Sequence, residues 1–513
     1  MNQPSPAPEP PPLPAQLTAA SFTHAVERLQ VLETAISWVV LTGRYAYKIK
    51  KPVHLDFLDA STLGRRRFLC EEEVRLNRRF APELYLDVQP IIRRDGRLQV
   101  GGEGTALEYA VRMRQFAGSA ELTAQLAQGS VTADGLADLA RRLADWHASA
   151  PRSSLADPYG SAELVRVQAL DNFRTLRTAV AAQDAPRLQR LQARSEQLLS
   201  ALHDLIEQRR SQGYVRECHG DLHAGNLVYW HGCWLPFDCL EFDPLLRWTD
   251  IMEDVAFLFM DLISRGHEAL AYVLLTSYLE QGGDYAGLPL LALFSVYRAL
   301  VRAKVDALAA SACESSDHAA DLRGRLQARL LTAERLAFRH APALLLMHGV
   351  SGSGKSWLSG QLIGALGALR VRSDLERRRL LGAGAYSEPA TAATYERLRA
   401  CAHSALQGGY RIIVDATFLD RAERERFERL AEAHAAPWMI VSCLASPQTL
   451  AARIQRREHE RTDLSEATPA ILQAQLRSLE PLTAPERAAS IPIDTDAPAP
   501  LLSALNAIRA RLA

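Results

Sequence analysis

Residues 343–358 read ALLLMHGVSGSGKSWL: an apolar run, a glycine-rich octet, then the start of a helical pattern. The octet 349–356 fits G-x-x-x-x-G-K-S/T without deviation. Its position between a strand and a helix is the context that a phosphate-binding loop requires. Glycines let successive backbone N–H groups turn toward a phosphate, and the helix N-terminus adds positive potential. The expected nucleotide cradle is therefore Gly349, Val350, Ser351, Gly352, Ser353, Gly354, Lys355 and Ser356. Lys355 would reach the β- and γ-phosphates, and Ser356 would bind Mg²⁺.

Outward from the octet, the apolar stretches 368–374, 411–417, 438–445 and 489–495 alternate with helical patterns. Short apolar strands alternating with helices predict a parallel sheet covered on both faces. Ligands gather at the C-terminal ends of such strands. Asp374 and Asp415 both end strands there. Asp415 is expected to bind Mg²⁺ through water. Asp374 has two readings, a base for a substrate hydroxyl or a helix N-cap. Arg453 and Arg457 lie four apart in LAARIQRRE and share a helix face. They read either as a lid clamping the transferring phosphate or as a solvated charged face.

GVSGSGKS, RSD, VDAT and AARIQRR together resemble small P-loop kinases of the gluconate kinase, polynucleotide 5′-hydroxyl kinase and zeta-toxin-like group, over about 340–513. That resemblance implies Asp374 as the hydroxyl base and leaves the acceptor open. Residues 341–513 hold 21 basic and 18 acidic residues, a net of +3, which gives a nucleic-acid acceptor no strong support.

A second constellation stands at 219–243, HGDLHAGNLVYWHGCWLPFDCLEFD. The spacing H-x-D-x-x-x-x-N, followed by an Asp after a short apolar strand, is the kinase catalytic-loop arrangement. Asp221 is the expected proton acceptor, Asn226 and Asp238 the expected Mg²⁺ ligands, and His219 an orienting residue. HGDLHAGN resembles the catalytic loop of aminoglycoside phosphotransferase-like kinases, which share the protein-kinase fold. Upstream, Lys48 on a strand and Glu73 on the next helix match the phosphate-contacting lysine and its partner. Lys50 shares the face of Lys48 by period two, so the choice between them stays open, with Glu72 the alternative to Glu73. This resemblance covers roughly 20–335. It extends to bacterial proteins that join such a domain to a C-terminal P-loop kinase domain. Two departures stand out: no G-x-G-x-x-G loop precedes Lys48, and no A-P-E segment follows Asp238.

The expected fold class is α/β and α+β multidomain. Residues 1–16 are a disordered Pro-rich tail, and 17–338 form a protein-kinase-like bilobal domain (small lobe about 17–115, large lobe about 116–338). Residues 339–513 form the P-loop parallel-sheet α/β domain. Lysine and arginine total 59, and so do aspartate and glutamate, so no broadly basic surface coats nucleic acid. Only Lys48, Lys50, Lys51, Lys304 and Lys355 are lysines, so lysine marks sites where arginine's planar fork would not serve. Seven scattered cysteines without a CxxC pair argue for reduced thiols and a cytoplasmic location. No secretory signal and no membrane span are expected.

The expected function is a bifunctional ATP- and Mg²⁺-dependent kinase acting on hydroxyl groups of small molecules. Its rivals are a nucleotide-gated regulatory protein and, for the C-terminal domain, a nucleic-acid-end kinase.

Overall fold

The computed structural model describes residues 13–55, 58–313, 315–382, 387–460 and 468–512. The chain forms two compact units, Met1–Val131 with Arg216–Thr249, and Thr132–Val215 with Asp250–Ala513.

The first unit is built on a six-stranded antiparallel sheet. Its order is Gln30–Glu33, Ser37–Leu41, Tyr45–Lys50, Ala106–Arg114, Tyr85–Arg94 and Arg97–Val100. The hairpin that joins Ser37–Leu41 to Tyr45–Lys50 turns at Gly43, whose φ is 93° and where a Cβ would lie 2.7 Å from Glu27 Oε2. Alternation sends Tyr47 and Ile49 into one core with Val40, Ile91 and Ala110. Lys48 and Lys50 face the other way, toward the helix Leu63–Asn77, which Thr62 caps through the Arg65 N–H. Of the tail expected to be disordered over 1–16, residues 1–12 lie outside the described residues, and Leu13–Gln16 makes a 3-10 turn with Pro14 buried. The cause is apolar: Leu13 and Leu17 help cover the sheet face that carries Val40 and Tyr47.

The segment after His219 completes this unit. Leu227–Trp230 and Cys233–Pro236 form an antiparallel hairpin with Leu227 opposite Pro236. Its two turn residues, His231 and Gly232, have φ of 46° and 87°. Two positive φ angles in a two-residue turn match the right-handed twist of the flanking strands. The hairpin's open end thus sets Asn226 beside Phe237, whose N–H donates to the Asn226 carbonyl at 3.0 Å.

The second unit joins a helical lobe to a five-stranded parallel sheet ordered Ala368–Arg372, Arg411–Asp415, Ala343–His348, Trp438–Leu444 and Ser490–Asp494. All five strands were anticipated; their order follows from the crossovers. The strand that leads into the phosphate loop is central and buried throughout. Leu345, Met347, Leu358, Leu362, Val441 and Ile491 share its core.

The helical lobe contains a long apolar helix. Tyr285–Ala312 is long and apolar enough to cross a membrane, yet 78% of its apolar window is buried inside the unit, as in a core helix.

Candidate active sites

In the first unit the chain brings together residues far apart in sequence. Lys48 Nζ donates to Glu73 Oε1 at 2.9 Å and also to Asp238. Lys50 pairs with Glu73 Oε2 at 2.5 Å and donates to Glu241. Both lysines therefore grip the fully buried Glu73, and only Lys48 reaches the expected metal aspartate. Glu72 turns instead to Arg75, at 2.8 Å. Two cations against three carboxylates make a mutually charged cluster. Burial alone would lower the Lys48 pKa, but the Asp238 and Glu73 carboxylates raise it well above the usual lysine value. Burial would raise Asp238, but Lys48 holds it below the ordinary aspartate value. Burial dominates at Glu241 and pushes it up despite Lys50.

Asp238 itself sits in the left-handed region, φ 62°. Two side chains hold that strained segment. The Asp238 N–H donates to the Tyr85 phenol oxygen at 3.0 Å, and the Cys239 N–H to Asn77 Oδ1 at 2.9 Å. Sequence reasoning missed both, since one reads as an apolar strand residue and the other as a helix end.

The catalytic-loop residues are ordered among themselves. Asn226 Nδ2 donates to Asp221 Oδ2 and to the Asp221 carbonyl, each at 3.0 Å. His219 accepts from the Asp221 N–H on Nδ1 at 3.3 Å, which leaves Nε2–H to donate to the Phe237 carbonyl at 3.0 Å. His219 thus ties Asp221 to the end of the second hairpin strand, the orienting role expected of it.

Lys50 and Glu241 allow a stability test. Lys50→Met removes a partner from a buried carboxylate, a change that costs about 3–5 kcal/mol. The exposed Lys51–Glu33 pair sets the control, because such pairs contribute about 0–1 kcal/mol. Denaturant unfolding of the first unit should shift strongly for Lys50→Met, hardly for Lys51→Met, and recover part of the loss in Lys50→Met/Glu241→Gln. Equal shifts for the two lysines would show that burial of the pair is unimportant.

In the second unit the octet adopts a wrapped loop. Gly349, Gly352 and Gly354 have φ of 134°, 84° and 89°. A Cβ at Gly349 would lie 2.6 Å from the Cys443 carbonyl, and one at Gly352 would lie 3.1 Å from the Leu450 carbonyl. Such a cradle, too tight for side chains, suits backbone N–H donors to a phosphate. Lys355 Nζ donates across the loop to the Val350 carbonyl at 2.9 Å. Behind the loop, burial and the charges of Arg424 and Lys355 push His348 down to about 4, so its ring is neutral at physiological pH.

Ser359, one turn into the loop helix, places its Oγ 3.1 Å from Asp415 Oδ2. The oxygen donors of Ser356 and Asp415 fit a hard divalent cation such as Mg²⁺, as do those of Asn226 and Asp238 in the first unit. Asp374 lies in the first turn of the helix Ser373–Leu381, with Arg372 as N-cap position, so it is not itself the N-cap. Its carboxyl is raised by burial and then by the charge of Asp415.

Arg453 is engaged elsewhere, donating to the Gly352 carbonyl at 3.1 Å and to Thr495 Oγ1 at 2.9 Å. It fastens the loop to the end of the last strand. The side chain of Arg457 lies outside the described residues.

Residues 344–482 match a family model described as an AAA domain. The chain is 30% identical over 462 residues to the uncharacterized protein Rv2004c of Mycobacterium tuberculosis, covering 87% of this chain and 90% of that protein. Among solved structures, a putative kinase from Chloroflexus aurantiacus is 21% identical, spans 34% of this chain and all of its own, with a TM-score of 0.30. A choline kinase from Cryptosporidium parvum is 12% identical, spans 60% of this chain and 89% of its own, with a TM-score of 0.36.

Proposed function

The chain belongs to the same family as that mycobacterial protein, as a fusion of an aminoglycoside phosphotransferase-like, protein-kinase-like domain with a C-terminal P-loop domain, and we propose that both are ATP-dependent kinases acting on hydroxyl groups of small molecules. The observation that carries this reading is the junction at Lys48 of Glu73, 25 residues away, and Asp238, 190 residues away. No packing need explains a lysine and two carboxylates drawn together at the end of a catalytic-loop hairpin.

Bound Mg·ATP would supply the γ-phosphoryl group and the metal charge that neutralises it. The chain's own residues would do the rest. Lys48, held by Glu73, contacts the phosphates, and Asn226 and Asp238 present oxygens to the metal. Asp221 takes the acceptor's hydroxyl proton as the oxygen bonds to phosphorus and the bond to the leaving diphosphate breaks. In the second unit Lys355 and the loop N–H groups hold the phosphates, Ser356 and Asp415 the metal, and Asp374 takes the proton. The seven cysteines, all free thiols, support a cytoplasmic setting.

The test is transfer of labelled γ-phosphate from ATP into a small-molecule extract, with wild type, Asp221→Asn and Lys355→Ala compared. Separate products lost in each variant would support two kinases and identify their acceptors. No labelled product, with nucleotide bound to both units, would replace this reading with the regulatory one.

The P-loop unit also carries a pH prediction. A base works only as its carboxylate, so turnover falls as pH drops through the Asp374 pKa. Because that value is raised, the acid limb should lie above that of an ordinary aspartate. Arg377, 3.8 Å from Asp374, holds the value down, so Arg377→Gln should move the limb further up. A pH–rate profile in the Asp221→Asn background reads this; a limb that stays put removes Asp374 as base.

A further inference from the structure

The face of the P-loop helix turned away from the sheet core is covered by a helix of the helical lobe. A Cβ at Gly364 would lie 3.2 Å from both Cβ and the carbonyl oxygen of Ala269, on the helix Glu268–Gly282. Gly364 therefore allows the backbones to approach closely. Beside this contact runs a chain of polar groups. Arg370, on the strand that leads to Asp374, makes a bidentate pair with Glu280, Nε to Oε1 at 2.7 Å and Nη2 to Oε2 at 3.2 Å. Its remaining nitrogen, Nη1, donates to the Ser356 carbonyl and to Ser359 Oγ, each at 3.2 Å. Ser359 Oγ in turn lies 3.1 Å from both the Ser356 carbonyl and Asp415 Oδ2, so its hydroxyl can donate to either and stands between Arg370 and Asp415.

Both members of the Arg370–Glu280 pair are largely buried, with 11% and 14% of their side chains exposed. The fully buried Tyr285 donates its hydroxyl to the Arg370 carbonyl at 2.7 Å. Arg379 and Arg397 bind the carbonyls of Glu280 and Gly283 at 2.5 and 2.6 Å. One helix end of the helical lobe is thereby pinned to the strand Ala368–Arg372, to the helix Ser373–Leu381 that bears Asp374, and to the helix Glu388–Gln407.

We propose that Glu280 is a positioning residue for the P-loop site: by fixing Arg370 it orients Ser356 and, through Ser359, Asp415, and so sets the affinity of that site for a divalent cation. The inference rests on the reading of Ser356 and Asp415 as the metal-binding pair. A bidentate carboxylate leaves an arginine one orientation, and partners that orient metal ligands typically change metal affinity about 10–100-fold when removed. The helical lobe thus supplies part of the P-loop active-site architecture.

The experiment uses the full chain with Lys48→Met and Asp238→Asn to silence the first unit, and titrates Mg²⁺ against binding of a fluorescent ATP analogue. Glu280→Gln should raise the half-saturating Mg²⁺ concentration about 10-fold, with metal-free nucleotide binding within about twofold. Glu280→Asp should recover part of the loss. Arg370→Lys, which keeps the charge and loses the fork, should match Glu280→Gln and covers the case in which that variant folds poorly. Glu268, on the same helix as Glu280, pairs with Arg335 and Arg339, each at 2.8 Å and neither a site residue, so Glu268→Gln should leave the Mg²⁺ dependence unchanged. An unchanged Mg²⁺ requirement in folded Glu280→Gln, or an equal shift in Glu268→Gln, overturns the proposal. Wild-type binding that is indifferent to Mg²⁺ and to Lys355→Ala overturns it together with the metal-pair reading, a result distinct from the other two.

Discussion

Asp221→Asn should lower turnover at the protein-kinase-like site by about 10²–10⁴-fold, the usual worth of a positioned general base, and leave nucleotide affinity within about twofold. The loop's shape does not depend on the lost charge. The Asp221 N–H is held by His219, and its carbonyl accepts from Asn226. An asparagine has nearly the same shape and keeps an oxygen that can accept from Asn226 Nδ2. What it cannot do is take up a proton. The Asp221 side chain is about a third exposed, at 36%, which leaves room for an acceptor hydroxyl to approach. Single-turnover kinetics and equilibrium binding, both in the Lys355→Ala background, separate the two effects. Unchanged turnover would move the base elsewhere. A parallel loss of affinity would make Asp221 a structural residue of the loop.

The legibility of this site in the sequence differs residue by residue, for physical reasons. Asp221, Asn226 and Asp238 flank one short hairpin, so their mutual placement is local and the spacing carries it. Lys48 and Lys50 share a strand face, and period two cannot separate them. Their difference lies in where the segment 238–241 runs beneath the sheet, with Asp238 under one lysine and Glu241 under the other. That path is long-range, and no local pattern encodes it. Tyr85 and Asn77 act through single hydrogen bonds to backbone N–H groups, a role that leaves no motif. In the C-terminal part the strands and the glycine octet are local features and were readable. Arg453 shows the limit: helical spacing set its face, but the partners on that face, Gly352 and Thr495, come from other parts of the chain. Ser359, Arg370 and Glu280 belong to the same class, each ordinary alone and informative only as a chain of contacts.

Lys355→Ala should cost the P-loop site about 10²–10³-fold in turnover, the scale found when one preorganised donor to developing charge is removed. Lys355→Arg is the sharper variant. The two cations carry the same charge, so a site that needed only positive potential would accept the exchange. The loop, however, has no slack. Lys355 is buried, with 8% exposed, and its Nζ lies 2.9 Å from the Val350 carbonyl inside a cradle where even a Cβ at Gly349 meets the Cys443 carbonyl at 2.6 Å. A compact ammonium on a flexible stem can leave that carbonyl for a phosphate oxygen, whereas a planar five-donor guanidinium needs a wider opening and a fixed approach. Lys355→Arg should therefore retain no more than about a tenth of wild-type turnover, while transfer by the first unit stays unchanged in both variants. In a chain where only five of 59 basic residues are lysine, an arginine working equally well at 355 would mean that lysine stands there by chance. A tenfold loss with the charge intact would mean that the loop selects the ammonium for its shape.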